Sequence, residues 1–148
     1  MNHRITTIEF DEIFPIWKRL WPDRTSPIEP NSAMCYLNGY DMYNMNTNPT
    51  FFVYIVNDEI VGVNSGHMCK DNQYRSRGLY VDPKFRGLNI AKKLLIKTIE
   101  QGKKENAVMC WSYPRKDSWM TYNSVGFYLD SDFHQSETGK NAYCSMKI

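Results

Sequence analysis

The stretch "VDPKFRGLNIAKKLL", Val81 to Leu95, decides how the rest of the chain is read. Val81 to Gly87 has the character of a strand end followed by a turn. From about Leu88 to Gln101 the spacing predicts a helix, with Ile90, Ala91, Leu94, Leu95 and Ile99 on one face and Lys92, Lys93, Lys97 and Glu100 toward water. Ile96 breaks that pattern, and Gly102 reads as the stop. This helix opens with no Ser or Thr cap and no acid, although a helix start normally uses such groups to satisfy its unpaired N–H donors. Gly87 lets the backbone approach a ligand, Asn89 tolerates a left-handed conformation, and Ala91 leaves room above the first turn. Seven basic residues between Lys84 and Lys104 face a single acid, Glu100. Free donors and a glycine make a ready anion site that a phosphate ligand would fit, although a merely solvated helix face would be lysine-rich as well.

Working outward, "YRSRGLYV" before the turn reads as a strand. "FFVYIV" and "IVGVNSGHM", joined through Asn57, Asp58 and Glu59, read as an antiparallel hairpin. Further back, Phe10, Ile13, Trp17, Leu20 and Trp21 recur at helical spacing, and Pro15 belongs in the first turn or marks a kink. The proline-marked "PDRTSPIEP" separates this from a short helix begun by Asn31 or Ser32. After Gly102, "AVMCWSY" reads as a buried strand, "KDSWMTYNSV" as a short helix, and "GFYLDS" and "AYCSMKI" as strands. The order is helix, helix, three strands, helix, strand, helix, two strands. It predicts a mixed sheet with helices packed on it, an α/β (α+β) single domain over residues 1–148.

Composition sets limits on function. With 148 residues, 42% apolar and 23% charged, the chain has ordinary globular character. A net charge of +2 gives no independent reason to expect nucleic acid or a membrane as partner. No apolar run approaches the roughly 20 residues of a membrane span, and the first residues lack signal-peptide character, so a cytoplasmic location is expected. Cys35, Cys69, Cys110 and Cys144 stand singly, without zinc-type spacing; buried reduced thiols and no metal are expected.

The central stretch resembles the coenzyme A-binding motif of the GNAT superfamily of N-acetyltransferases, Arg/Gln-x-x-Gly-x-Gly/Ala. Arg86 takes the first position and Ala91 the last, while Asn89 stands where the family usually has glycine. "YNSVGF", Tyr122 to Phe127, resembles the later Tyr-x-x-x-Gly-Phe motif, without the preceding Asn and Ala. The element order also resembles that fold.

The resemblance implies acetyl-CoA (CoA) lying along Leu79, Tyr80 and Val81, with its pyrophosphate on the N–H groups of Arg86, Gly87, Leu88, Asn89, Ile90 and Ala91. A main-chain amide near Leu79 to Val81 would polarise the thioester carbonyl. Tyr122 matches the general acid that reprotonates the leaving thiolate. Some relatives place a glutamate base on the preceding strand; "YRSRGLYV" has none, and His67 is the candidate base, with Asp71 and Asp82 behind it. The acceptor is then a small-molecule or peptide amine. Aromatic residues Trp17, Trp21, Tyr36, Tyr40, Tyr43, Trp111 and Trp119, with Asp41, are candidates for its pocket, and Arg75, Arg77 and Arg115 would favour an acidic acceptor. Relatives are often dimers, and "AYCSMKI" offers an edge that a homodimer would pair. The alternatives are a coenzyme A-binding regulatory module without turnover, and a nucleic-acid binder using the basic 84–104 face.

Overall fold

The structure, a computed structural model, describes residues 2–20, 49–136 and 139–148. The helix expected near residue 31, and Trp21, Cys35, Tyr36, Tyr40, Asp41 and Tyr43, lie outside the described residues. The elements in chain order are β1 (His3–Ile8), α1 (Phe10–Leu20), β2 (Thr50–Val56), β3 (Glu59–Cys69), β4 (Gln73–Val81), α2 (Ile90–Lys104), β5 (Met109–Ser112), α3 (Lys116–Ser124), β6 (Tyr128–Leu129), β7 (His134–Ser136), β8 (Gly139–Asn141) and β9 (Cys144–Lys147). Seven strands form one sheet in the order β1-β2-β3-β4-β5-β9-β6, while β7 and β8 form a separate hairpin. Every neighbouring pair in the sheet is antiparallel except β4 and β5.

The expected mixed sheet flanked by helices is present. The continuous apolar run of β2 is explained by burial on both faces. Phe51, Val53 and Ile55 pack under Ile13 and Trp17 of α1, and Phe52, Tyr54 and Val56 pack with Ile90 and Leu94 of α2. Cys69, Cys110 and Cys144 are buried thiols outside any disulfide. No helix among the described residues is long and apolar enough to cross a membrane.

Three expectations are corrected and a fourth is narrowed. Strand β1 precedes α1; its sequence, HRITTI, lies at the sheet edge and has only two aliphatic residues to signal a strand. Of the two alternatives expected for Pro15, the first turn is excluded, because it lies inside α1. The β2–β3 turn is two residues, not three: Asn57 (φ 49°) and Asp58 (φ 68°) both take the positive φ that a tight type I′ turn requires, so Glu59 already belongs to the strand. The "AYCSMKI" strand is held between β5 and β6 rather than at a sheet edge.

Gly102 does not end α2, which continues to Lys104. A Cβ at Gly102 would lie 2.9 Å from Cγ of Tyr74, and one at Gly66 would overlap the same ring. The two glycines make room for the Tyr74 ring between helix and sheet. The stop comes from Asn106 at φ 68°, where Ala107 N donates to Gly102 O (2.9 Å) and Asn106 N to Lys103 O (3.1 Å). That pair of bonds is a Schellman cap, with Asn in the left-handed position.

Candidate active site

The site is built around a divergence of β4 from β5. Their parallel pairing covers only Gln73 to Arg75 against Met109 to Trp111. Beyond Arg75, β4 runs on from Ser76 to Val81 without β5 paired to it, a separation of the two strands into which an extended ligand could enter. Opposite β3 the same segment carries a bulge: Gly78 and Leu79 together face Asn64, and Gly78 takes φ 78°. The bulge changes which face each later side chain meets. Leu79 and Val81 turn toward the α2 side, while Tyr80 packs toward the α1 core.

After β4 the chain turns tightly. Asp82 accepts from Lys84 N at 2.9 Å, and Arg86 Nε donates to Val81 O at 3.0 Å with its guanidinium 5.6 Å from the Tyr80 ring centre. Gly87 takes φ 85°, and a Cβ there would meet nothing within 4 Å, so the backbone borders open space. Asn89 precedes α2 in the left-handed conformation (φ 62°, ψ 22°) and makes no side-chain cap bond. Asn is the side chain that best tolerates this conformation after glycine, which accounts for Asn where the motif usually has Gly. The first-turn donors of α2 therefore receive no cap from its N-cap side chain and no acid in the first turn. Ile90 is buried in the core, so only its N–H is available to a ligand.

The later motif also has a mechanical explanation. Phe127 N donates to Tyr122 O (3.1 Å) and Gly126 N to Asn123 O (3.2 Å), with Gly126 at φ 115°. Tyr-x-x-x-Gly-Phe thus terminates α3 by a Schellman cap, and its accompanying apolar contact is the edge-on pair Tyr122–Phe127, with ring centres 5.0 Å apart. The cap fixes where Tyr122 points. Its Oη lies 2.9 Å from Ser76 Oγ on β4 and 3.1 Å from Ser112 Oγ on β5, at the vertex of the divergence. Burial pushes its phenol up to about 12, while the two serine hydroxyls pull the other way.

His67 is wholly buried in β3, opposite Arg75. Strand alternation places it on the face away from Asn64 and Gly66, which look toward α2. Burial first, and the Arg75 charge second, lower its imidazole to about 4. Arg75 itself lies over the Trp111 ring at 4.3 Å. Of the acceptor-pocket candidates, Trp17 is core, edge-on to Phe51 at 5.6 Å, and Trp119 packs against the cluster containing Tyr122 and Phe127. Arg115 is exposed at the start of α3, 4.0 Å from Asp117.

The structure therefore brings Leu79 to Val81, the 86–91 loop and Tyr122 around one divergence, and sets His67 on the other face of the sheet. Sequence reasoning missed Ser76, Ser112, Asn64 and Thr98. Their signal was a polar side chain at an inward position of an otherwise apolar strand or helix face.

The sequence profile of the acetyltransferase (GNAT) family matches residues 10–127. No curated protein matches the chain in sequence. Among solved structures, a GNAT-family acetyltransferase from Staphylococcus aureus Mu50 superposes with a TM-score of 0.70 at 20% identity, covering 99% of each chain. The ribosomal-protein-S18-alanine N-acetyltransferase of Escherichia coli gives 0.70 at 14% identity over 99% of this chain and 94% of that one. The PaiA N-acetyltransferase of Thermoplasma acidophilum, solved with coenzyme A, gives 0.67 at 16% over 100% of both. With its profile spanning both motifs and its sheet diverging between β4 and β5, the chain belongs to the acetyltransferase (GNAT) family.

Proposed function

We propose that this protein transfers the acetyl group of acetyl-CoA to a primary amine of a small molecule or peptide, by direct attack of the amine on the thioester. The observation that carries this is the position of Tyr122 Oη, hydrogen-bonded to both strands at the point where they part. A pantetheine arm paired with Leu79 to Val81 would bring its sulfur to that vertex. The open space at Gly87 and the uncapped start of α2 suit the pyrophosphate, which gains from the helix dipole as well as from the donors. The bulged amides of Leu79 to Val81 polarise the carbonyl.

An aliphatic amine of pKa ~10.4 is protonated by more than three units at neutral pH, so it must shed a proton before attack. His67, the candidate base of the sequence, is wholly buried on the other face of the sheet with its imidazole lowered to about 4, so it is neither placed nor basic enough to take that proton, which passes to solvent. Tyr122 returns a proton to the thiolate: the C–N bond forms, the C–S bond breaks, and the phenol O–H becomes a thiol S–H. Structurally similar proteins acetylate amines as different as a protein alanine and an aminoglycoside, which supports an amine acceptor without specifying one.

A second reading is favoured by one observation: β4 carries no carboxylate between Gln73 and Val81. On that reading the protein is a coenzyme A-binding module without turnover. Thiol release from acetyl-CoA with a panel of primary amines separates the two. For the enzyme, Tyr122→Phe lowers kcat about a hundredfold with CoA affinity unchanged. A wild type that binds CoA and turns over none of the amines supports the module.

His67 adds a pH signature. Its folded value of about 4 lies below the ordinary 6.5, so the unfolded chain takes up a proton first on acidification. Stability is therefore lost as pH falls from 6.5 to 4, by about 3 kcal/mol from this group. His67→Gln should flatten that limb in chemical denaturation and leave kcat within about twofold. A tenfold fall in kcat in a folded variant would instead bring His67 into the mechanism.

A further inference from the structure

Five side chains from five elements form one buried polar chain. Thr98 of α2 donates to Leu94 O at 2.9 Å, and Asn64 Nδ2 of β3 lies 2.9 Å from Thr98 Oγ1 and 3.0 Å from Ser76 Oγ of β4. Ser76 Oγ meets Tyr122 Oη of α3 at 2.9 Å, and Ser112 Oγ of β5 lies 2.7 Å from Ser76 O and 3.1 Å from Tyr122 Oη. Asn64, Ser76 and Thr98 are all wholly buried.

The hydrogens in this chain can be assigned by elimination. A carbonyl cannot donate, so Thr98 spends its one hydroxyl hydrogen on Leu94 O and Ser112 spends its own on Ser76 O. Thr98 must then accept from Asn64, which fixes the amide with its nitrogen toward Thr98 and Ser76. The opposite orientation would set Oδ1 against a hydroxyl with no hydrogen left to give. Ser76 accepts the second Asn64 hydrogen, and its own hydrogen is left for Tyr122 Oη. The phenol hydrogen is consequently not directed at Ser76. It lies on the β5 side, beside Ser112 Oγ and the opening between the strands. Asn64 Oδ1 has no hydrogen-bond partner among the described residues, a buried cost of roughly 1–3 kcal/mol that an apolar side chain would not carry.

We propose that Thr98, Asn64 and Ser76 are positioning residues: a donor chain that runs outward from the Asn64 amide, to Thr98 and the Leu94 carbonyl on one side and through Ser76 to Tyr122 on the other, so that Tyr122 Oη is an acceptor from within the sheet and its proton is turned toward the leaving sulfur. The inference rests on the reading of Tyr122 as the acid. When the O–H bond breaks and the S–H bond forms, the phenolate left behind keeps the Ser76 donor and gains the Ser112 hydroxyl by rotation. The phenolate recovers a proton, through solvent, equal to the one the amine gave up. Burial alone would oppose a buried phenolate, and the two serines counter it.

The test is a double-mutant cycle of Ser76→Ala with Tyr122→Phe, read by kcat and by calorimetric CoA binding. Ser76→Ala should lower kcat about tenfold, the worth of one hydrogen bond at the transition state, with CoA affinity within about twofold. In the Tyr122→Phe background it should lower kcat no further. A wild-type rate for Ser76→Ala beside a slow Tyr122→Phe overturns the donor chain alone. So does an equal loss in both backgrounds, which would make Ser76 a packing residue. A wild-type rate for Tyr122→Phe overturns the acid reading and the donor chain with it. If Ser76→Ala does not fold, Thr98→Val takes its place in the cycle. A neutron map of the deuterated protein with CoA decides the hydrogen directions without any acceptor: deuterium on Ser76 Oγ toward Tyr122 supports the chain, and phenolic deuterium toward Ser76 refutes it.

Discussion

The two long helices of this chain begin in opposite ways. At α1 the chain satisfies itself: Glu9 N donates to Glu12 Oε1 at 3.0 Å, the carbonyl of Glu9 accepts from Glu12 N and Ile13 N, and Asp11 and Glu12 bring negative charge to the positive end of the dipole. At α2 the residue before the helix is left-handed, makes no side-chain cap bond, and no acid follows in the first turn. One start is finished by its own side chains, as a structural helix should be. The other forgoes a contribution of about 1 kcal/mol that a cap would make. A helix start that omits so cheap a stabilisation, beside an open glycine, is what the proposed pyrophosphate site requires.

The contrast is probed hardest by giving α2 the solution that α1 uses. Lys92→Glu places an acid at the third helical position, as Glu12 is in α1. CoA affinity should fall tenfold or more by calorimetry, from charge repulsion of about 1.4 kcal/mol at a half-buried site, while Tm holds or rises. A fall in Tm with unchanged affinity would show that the two starts do not differ in this way. Gly87→Ala comes next. It strains a φ of 85° at a cost of about 1 kcal/mol and puts a methyl into the space beside the loop, so affinity and Tm should both drop. The mildest change belongs to the other helix. Glu12→Ala should lower stability by about 0.5–1 kcal/mol in urea denaturation and leave CoA affinity unchanged.

Much of this was legible because its signals are local. The apolar face of α2, the polar turn between β2 and β3, and the missing cap before Ile90 are each visible within a few residues. The features that escaped depend on partners distant in the chain. β1 has only Ile5 and Ile8 as aliphatic residues and is a strand because β2 pairs with it along its length. Gly102 looked like a stop, but is a gap for a ring supplied by Tyr74. The two-residue strand β6 and the β7–β8 hairpin are too short for periodicity to show. At the site, the motifs located Tyr122 and the 86–91 loop, yet not the serines that hold the phenol. Ser76 and Ser112 sit in "YRSRG" and "CWSY" as ordinary strand residues until the divergence of β4 from β5 brings both to one oxygen.

Whether the start of α2 and the Leu79 to Val81 segment of β4 hold CoA, as proposed, is tested most directly on the backbone amides of the labelled protein, followed by NMR as CoA is added. Large shifts are expected for Gly87 to Ala91 at the start of α2 and for Leu79 to Val81 on β4, with Phe10 to Ile13 at the start of α1 unmoved. Saturable binding with shifts that spare Gly87 to Ala91 would contradict that placement.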